Sequence, residues 1–393
     1  MDKDEQINEL LTRGVEEIIG RDELEKKLKE GKTLRVKLGI DPTSPNLHLG
    51  RAIPLLKLRD FQQLGHQIVL IIGDSTGVIG DTSDKDSERP MLDKGVVNEN
   101  LKNYAEQAGK ILDMRKVELR RNGEWLDKLG YEEIGEQADC FSLSDFISRE
   151  NIKKRLGEGK RVSLREVLYP LMQGYDSVAI KSDIEIGGTD QRFNLLAGRD
   201  LQKHFGQEQQ SVLMGPLLEG TDGRKMSSSW GNIIAIADEP CDMYGKVMSI
   251  SDDLIIKYFI LATRIPVDEI KKMENEMKSE SVNPRDLKMK LAYEIVKLYH
   301  GEDEANKAQK NFVTLFQKKE IPDELPEVKA NVGDKLIDVL DREKIVSSKT
   351  DFRRLVDENA VSIDEEKINN KDYVIEKEIV VRVGKKRFAK IVL

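Results

Sequence analysis

Tyr169, Gln173 and Asp176 stand at i, i+4 and i+7 within YPLMQGYD, so on a helix they form one narrow polar stripe. Leu168, Leu171, Met172 and Tyr175 then point elsewhere and can pack on a sheet. A phenol, an amide and a carboxylate in file can bind a small polar ligand; the plain alternative is a solvated helix face. DPTSPNLHLGR (41–51) follows the apolar series Leu34, Val36, Leu38, Ile40 and holds His48, one of 4 histidines. If a parallel strand ends there, the chain emerges at the carboxyl edge of a sheet, where ligands collect. A helix starting near His48–Gly50 would turn free N–H groups toward an anion, with Gly50 allowing close backbone approach and Thr43 and His48 adding donors. GTDGRKMSSSWGN (220–232) sets Lys225 beside three serines in a glycine-bounded loop. Taken singly, these segments also read as an exposed turn and a mobile surface loop with a solvated lysine. No convincing Ser–His–Asp or Cys–His set accompanies them.

The elements that must position these groups alternate. TLRVKLGI reads as a strand, GRAIPLLKLRDFQQLG as a helix and QIVLIIGD as a second strand closing in a glycine-rich turn. SDIEIGG and SVLMGPLL read as strands flanking the helical QRFNLLAGRDLQKHFG. Strand, helix, strand in succession predicts a parallel, Rossmann-like α/β sheet with helices on both faces. The charged, mostly helical stretch near 95–165 reads as an insertion between its halves. Residues 236–320 read as helices, with apolar stripes Leu254, Ile255, Tyr258, Phe259 and Leu287, Leu291, Ile295, Leu298. The expected domains are therefore 1–235, a helical 236–320, a linker 321–334 with few large apolar residues, and a small α+β unit 335–393.

Composition agrees with a soluble globular protein: 393 residues, 38% hydrophobic and 35% charged, with no run near the ~20 apolar residues of a membrane span. The N-terminal MDKDEQINELLTRGVEEII lacks a basic patch before an apolar core, so no secretion signal is expected, and Ile7, Leu10, Leu11 and Val15 suggest a surface helix. Cys140 and Cys241 lie far apart and suggest neither a disulfide framework nor a metal knuckle; a reducing cytoplasm fits best. The net charge of −8 argues against a whole-protein nucleic-acid coat. Residues 331–393 are nearly charge-balanced, however, and end in the concentrated VRVGKKRFAK, and local patches decide nucleic-acid contact.

In combination and in order, HLG after the first strand and KMSSS after the last resemble the His-Ile-Gly-His and Lys-Met-Ser-Lys-Ser signatures of class I aminoacyl-tRNA synthetases. From about residue 33 onward, GIDPTSPNLHLG, GDSTGVIGD, YPLMQGYD, GGTDQRFN and KMSSS resemble the bacterial-type tyrosyl-tRNA synthetases. The resemblance implies a tyrosine–tRNA ligase: ATP activates tyrosine to tyrosyl-adenylate, pyrophosphate leaves, and a terminal ribose hydroxyl of tRNA(Tyr) takes the tyrosyl group. It implies that Lys37, Asp81, Tyr169, Gln173, Asp176 and Gln191 bind tyrosine, with Asp176 taking the phenolic proton and Tyr169, Gln173 and Asp81 the ammonium. It places ATP on Gly39, Asp41, Gly50, Gly188, Asp190, Met226, Ser227 and Ser229, and assigns phosphate chemistry to Thr43, His48, Lys225 and Ser228 with Lys85 and Arg89 of DTSDKDSERP. Mg²⁺ arrives with ATP, so no protein-ligated metal is expected. A homodimer, through the inserted helices, is the family's habit.

Three positions depart from that pattern. Lys37 stands where a tyrosine shares the substrate hydroxyl, which leaves it either bonding the phenol or pairing with Asp176. Ser228 replaces the second signature lysine, and Arg51 replaces the fourth residue of the first signature with a permanent charge. Thr189 and Asp190 also suit a plain helix cap. In the tail, Ser347 and Ser348 read as caps of a helix burying Phe352, Leu355 and Val356. That segment resembles the small RNA-binding domain shared with ribosomal protein S-four, implying RNA contacts at Arg353, Arg354, Lys385, Lys386 and Arg387. A tryptophanyl relative would share the sheet and both signatures, but its substrate has no hydroxyl for Asp176. A non-catalytic RNA-binding cofactor is the other alternative, and intact His48, Asp81 and Lys225 weigh against it.

Overall fold

The computed structural model describes residues 2–81, 91, 93–315, 325–364, 366–384 and 387–393. Two compact units divide the chain, Met1–Asn306 and Lys307–Leu393. Through its sheet, the first runs α1 (Lys3–Thr12), β1 (Glu17–Ile19), α2 (Arg21–Lys29), β2 (Arg35–Ile40), α3 (Leu49–Gln63), β3 (Gln67–Ile72), α4 (Asp74–Ile79), α5 (Lys94–Ala108), β4 (Val117–Arg121), α6 (Gly123–Leu126), α7 (Tyr131–Asp139), α8 (Leu143–Ile147), α9 (Glu150–Gly157), α10 (Leu164–Ile180), β5 (Ile184–Gly188), α11 (Arg192–His204) and β6 (Ser211–Gly215). The strand order is β1-β6-β5-β2-β3-β4, parallel throughout except for β1.

From β2 the chain moves to β3 on one side and later to β5 on the other, so the topological switch lies beside β2. Loops leaving the carboxyl ends there diverge and open a crevice. Both faces of the sheet are covered, which is why Val36 and Ile68–Ile71 can be apolar without alternation; none has any exposed surface. On one face α3 buries Leu49, Ala52, Leu55, Leu56, Leu58 and Phe61 at helical spacing. On the other, Ile180 of α10 packs with Val69, Ile71 and Trp125, while Leu195 of α11 packs with Val212 and Met214.

Helix α10 is fixed at both ends. Ser163 caps its N-terminus in a reciprocal capping box with Glu166, and Lys181 closes it in the left-handed region. Glu166 is buried against Arg155 of α9, whose guanidinium bonds both carboxylate oxygens. A Cβ on Gly174 would lie 2.9 Å from Leu201 Cδ1 and 3.0 Å from the Ala197 carbonyl carbon, so its absence lets α10 and α11 approach closely.

Several expectations change. The stretch 95–165 is not purely an inserted helical segment, because β4 pairs in parallel with β3 as the sheet's edge. Half-exposed VELRR carries no apolar run to announce it. Leu168 is exposed rather than packed on the sheet, although Leu171 is buried. Helices α12 (Pro240–Met248), α13 (Ile255–Ala262), α14 (Val267–Lys278) and α15 (Pro284–His300) lie in the same compact unit as the sheet, with no division near 235. Buried Arg13, after α1, explains part of this by donating to the carbonyls of Ile260, Thr263 and Ile265. Helix α16 (Glu302–Val313) spans the boundary between the units.

The second unit has its own core. Strands β7 (Glu327–Lys329), β8 (Val361–Ile363), β9 (Glu366–Lys367), β10 (Ile379–Val383) and β11 (Arg387–Val392) form a sheet in the order β7-β11-β10-β8-β9, joined by α17 (Leu336–Arg342) and α18 (Lys349–Asp357). Part of the expected linker is strand: β7 pairs with β11, and Val328 and Ala330 enter the core. Two short apolar side chains suffice there because the backbone ladder supplies the rest. Ser348 caps α18, and Phe352, Leu355 and Val356 are buried as expected. Among the described residues no helix is long and apolar enough to cross a membrane.

Candidate active site

A cavity of about 490 Å³ opens at the carboxyl ends of the central strands. Gly39, Asp41, Thr43, His48, Gly50, Asp81, Tyr169, Gln173, Asp176, Gly188, Asp190, Gln191, Lys225, Met226, Ser227, Ser228 and Ser229 all line it, from segments spread over most of the first unit. Lys85 and Arg89 lie outside the described residues.

At one end, the α10 stripe meets the β2 and β3 loops. Tyr169 donates its hydroxyl to Asp41 Oδ2 at 2.9 Å, and Thr76 donates to Asp41 Oδ1 at 2.7 Å. With its proton engaged there, the Tyr169 oxygen presents lone pairs only. Asp176 accepts from Trp125 Nε1 at 2.8 Å and from Asn122 Nδ2 at 3.3 Å. Burial pushes the Asp176 carboxyl up to about 7, against the pull of Lys37 and these two donors. Asp41 is raised to about 6, also by burial. Gln191 donates to Asp81 Oδ2 at 2.7 Å and is itself held by Asn194. Gly73 closes this end tightly: a Cβ there would meet Asp41 Oδ1 at 2.0 Å and Thr76 Oγ1 at 2.2 Å.

At the other end the two motif loops touch. Gly50 N donates to Met226 Sδ at 3.5 Å, Leu49 N to the Ile234 carbonyl at 2.9 Å, and Ile236 N to the Leu47 carbonyl at 2.9 Å. His48 occupies the N-cap of α3 without capping it, and its Nδ1 is buried with no hydrogen-bond partner among the described residues. Burial, with Arg51 and Lys225 nearby, depresses its pKa to about 3, so the ring is neutral at physiological pH. An orphaned imidazole nitrogen beside a glycine fits an incoming phosphate group. Lys225 Nζ lies 2.9 Å from Asp190 Oδ2. Asp190 therefore faces the motif lysine, and no side-chain cap bond is made at the start of α11.

The family of "tRNA synthetases class I (W and Y)" matches residues 29–317, most of the chain and every cavity residue named above. The chain belongs to that family. Residues 317–391 match the "Tyrosine--tRNA ligase SYY-like C-terminal domain". The synthetase is 50% identical over 394 residues to the tyrosine–tRNA ligase of Thermotoga maritima, covering 100% of this chain and 98% of that one. It is 47% identical to the tyrosine–tRNA ligase of Carboxydothermus hydrogenoformans, covering 98% and 97% of the two chains. Among solved structures, a C-terminally truncated mitochondrial tyrosyl-tRNA synthetase of Coccidioides posadasii superposes with TM-score 0.64 at 26% identity, over 78% of this chain and 91% of that one.

Lys37 of the synthetase takes a partner that the sequence did not name. It has no exposed surface, does not line the cavity, and pairs with Glu185 at 2.9 Å rather than with Asp176. Arg51 donates to Thr43 Oγ1 at 3.0 Å and to the Tyr104 hydroxyl. Sequence reasoning missed Asn122, Trp125, Thr76 and Glu185. Asn122 and Trp125 directly follow the unrecognised edge strand, and no local pattern marked them.

In the second unit, Arg353 is exposed, whereas Arg354 is committed to Asp351 at 2.8 Å and Glu358 at 2.7 Å on its own helix. Arg387 donates to the Ile345 carbonyl at 2.6 Å. Lys385 and Lys386 lie outside the described residues.

Proposed function

We propose that this synthetase is a tyrosine–tRNA ligase that activates tyrosine with MgATP and loads it onto the terminal ribose of tRNA(Tyr). The observation that carries this reading is Asp176, a buried carboxylate at the cavity wall whose two oxygens are oriented by the Trp125 and Asn122 donors. Such an acceptor suits a phenolic hydroxyl and is left unpaired by phenylalanine. Tyrosyl-tRNA synthetases are themselves the standard example of the resulting discrimination, about 10⁵-fold, a magnitude taken from them and not from this geometry.

The substrate ammonium sits among Tyr169, Gln173 and Asp81, where the Tyr169 oxygen, already donating to Asp41, can only accept. The tyrosine carboxylate attacks the α-phosphorus and pyrophosphate departs. His48, Thr43, Lys225 and the Ser227–Ser229 loop hold the phosphates as charge shifts onto them, while Gly188 and Asp190 take the adenosine. Arg51 adds the permanent charge that Ser228 does not. No enzyme nucleophile takes part; positioning and charge stabilisation lower the barrier. Mg²⁺ enters with the nucleotide. The second unit contacts tRNA through Arg353, Lys385, Lys386 and their neighbours. A homodimer in the cytoplasm completes the proposal, and exposed Leu143, Ile147, Leu164 and Leu168 on the inserted helices and α10 support it.

The test is tyrosine-dependent exchange between pyrophosphate and ATP, run in parallel with phenylalanine and tryptophan and with Asp176→Ala. Exchange with tyrosine only, lost in the variant, is expected. Exchange with none of the three, in folded protein that still binds tRNA, would favour an RNA-binding cofactor instead.

A further inference from the structure

Lys37 on β2 and Glu185 on β5 are directly opposite in register, and both are buried under α10. The ammonium spends its three N–H bonds on the Gln173 carbonyl at 3.0 Å, Ser177 Oγ at 2.8 Å and Glu185 Oε1 at 2.9 Å. Glu185 in turn accepts from Gln173 Nε2 at 3.2 Å, Ser177 Oγ at 3.1 Å and Gln210 Nε2 at 2.6 Å. Every strong valence of this buried pair is therefore met, the condition under which a buried charge pair can be kept. Its two ends converge on one residue: Lys37 holds the Gln173 backbone, and Glu185 holds the Gln173 amide nitrogen.

We infer that Lys37 is a positioning residue for the substrate's ammonium group, acting through Glu185 and Gln173, and does not touch the phenol. Because Nε2 of Gln173 is taken by Glu185, the amide's carbonyl oxygen is the group left to meet a ligand in the cavity that Gln173 lines. A carbonyl oxygen accepts from an ammonium; the opposite orientation would present a donor and repel it. The pair thus sets the polarity of one wall, while phenol recognition stays with Asp176.

This inference rests on the tyrosine-ligase reading. The experiment compares two competitive inhibitors of tyrosine-dependent exchange: tyrosinol, which has the amine, and 3-(4-hydroxyphenyl)propanol, which lacks it. In wild type, tyrosinol binds more tightly. In Lys37→Met that preference falls by about tenfold or more, the scale of a lost hydrogen bond to a charged group, while the tyrosine-over-phenylalanine ratio is unchanged. Lys37→Met/Glu185→Gln, which leaves no lone buried charge, is measured alongside in case the single variant fails to fold. In a Gln173→Ala background the Lys37 substitution has no further effect on the preference. An unchanged tyrosinol preference in the folded variants, or a collapsed tyrosine-over-phenylalanine ratio, overturns the inference. Absence of tyrosine-dependent exchange in wild type would instead overturn the ligase reading, and this inference with it.

Discussion

Lys225 Nζ and Asp190 Oδ2 are 2.9 Å apart across the cavity, one on the motif loop and the other just beyond the carboxyl end of β5. The two groups proposed for opposite ends of the nucleotide thus face each other at ion-pair distance. On the proposed reading, ATP sets its phosphates beside Lys225 and its ribose beside Asp190.

Lys225→Ala should slow adenylate formation by about 10²–10³-fold, the scale of one lost charge-stabilising donor. Tyrosine affinity, read by intrinsic fluorescence quenching, should change little. A comparable loss in tyrosine affinity would place Lys225 in amino-acid binding instead.

Asp176 predicts opposite pH effects on binding and stability. Its carboxyl titrates near 7 in the folded chain against 3.8 for the ordinary group. The unfolded chain therefore releases this proton first, so the stability contribution is complete below about 3.8 and is lost as pH rises through about 7. The ionised form accepts the phenolic proton, so KM for tyrosine should fall between pH 6 and 8. Asp176→Asn should flatten the KM profile and remove this group's share of the stability profile. His48 works with the other sign: held near 3 against 6.5, it makes stability rise with pH across that interval. A KM profile that survives in Asp176→Asn would assign the titration to another group, Asp41 first.

Gly73→Ala tests how tightly the ammonium end is built. The added methyl would displace Asp41 and Thr76, at a cost of about 1–3 kcal/mol in thermal stability. The larger effect should be on tyrosine, because Asp41 orients the Tyr169 hydroxyl. A KM for tyrosine raised less than twofold would count against that coupling.

Phe352→Ala removes a fully buried ring from the core of the second unit, at about 3–5 kcal/mol. Pyrophosphate exchange should persist, since the cavity belongs wholly to Met1–Asn306, while tRNA charging should fall steeply. Parallel loss of both activities would show that the cavity needs the second unit.

Local patterns determined a good deal of this. Leu34 to Ile40 and Ile68 to Ile72 announced central strands because buried parallel strands must be apolar on both faces. The i, i+4, i+7 spacing of Tyr169, Gln173 and Asp176 put them on one side of a helix, since helical geometry is fixed by the backbone alone. The two motifs, and their order around the sheet, marked the cavity's residues before any coordinates. Pairing across the fold was a tertiary matter. β4 lacks an apolar run, so only its register with β3 reveals it, and with it the positions of Asn122 and Trp125 around Asp176. Lys37 looked free to reach the phenol or Asp176. What gave it Glu185 as its partner instead of Asp176 was the register that sets Glu185 opposite it, because a buried ammonium goes to the nearest carboxylate that can satisfy it, and no one-dimensional spacing encodes which strand lies next door.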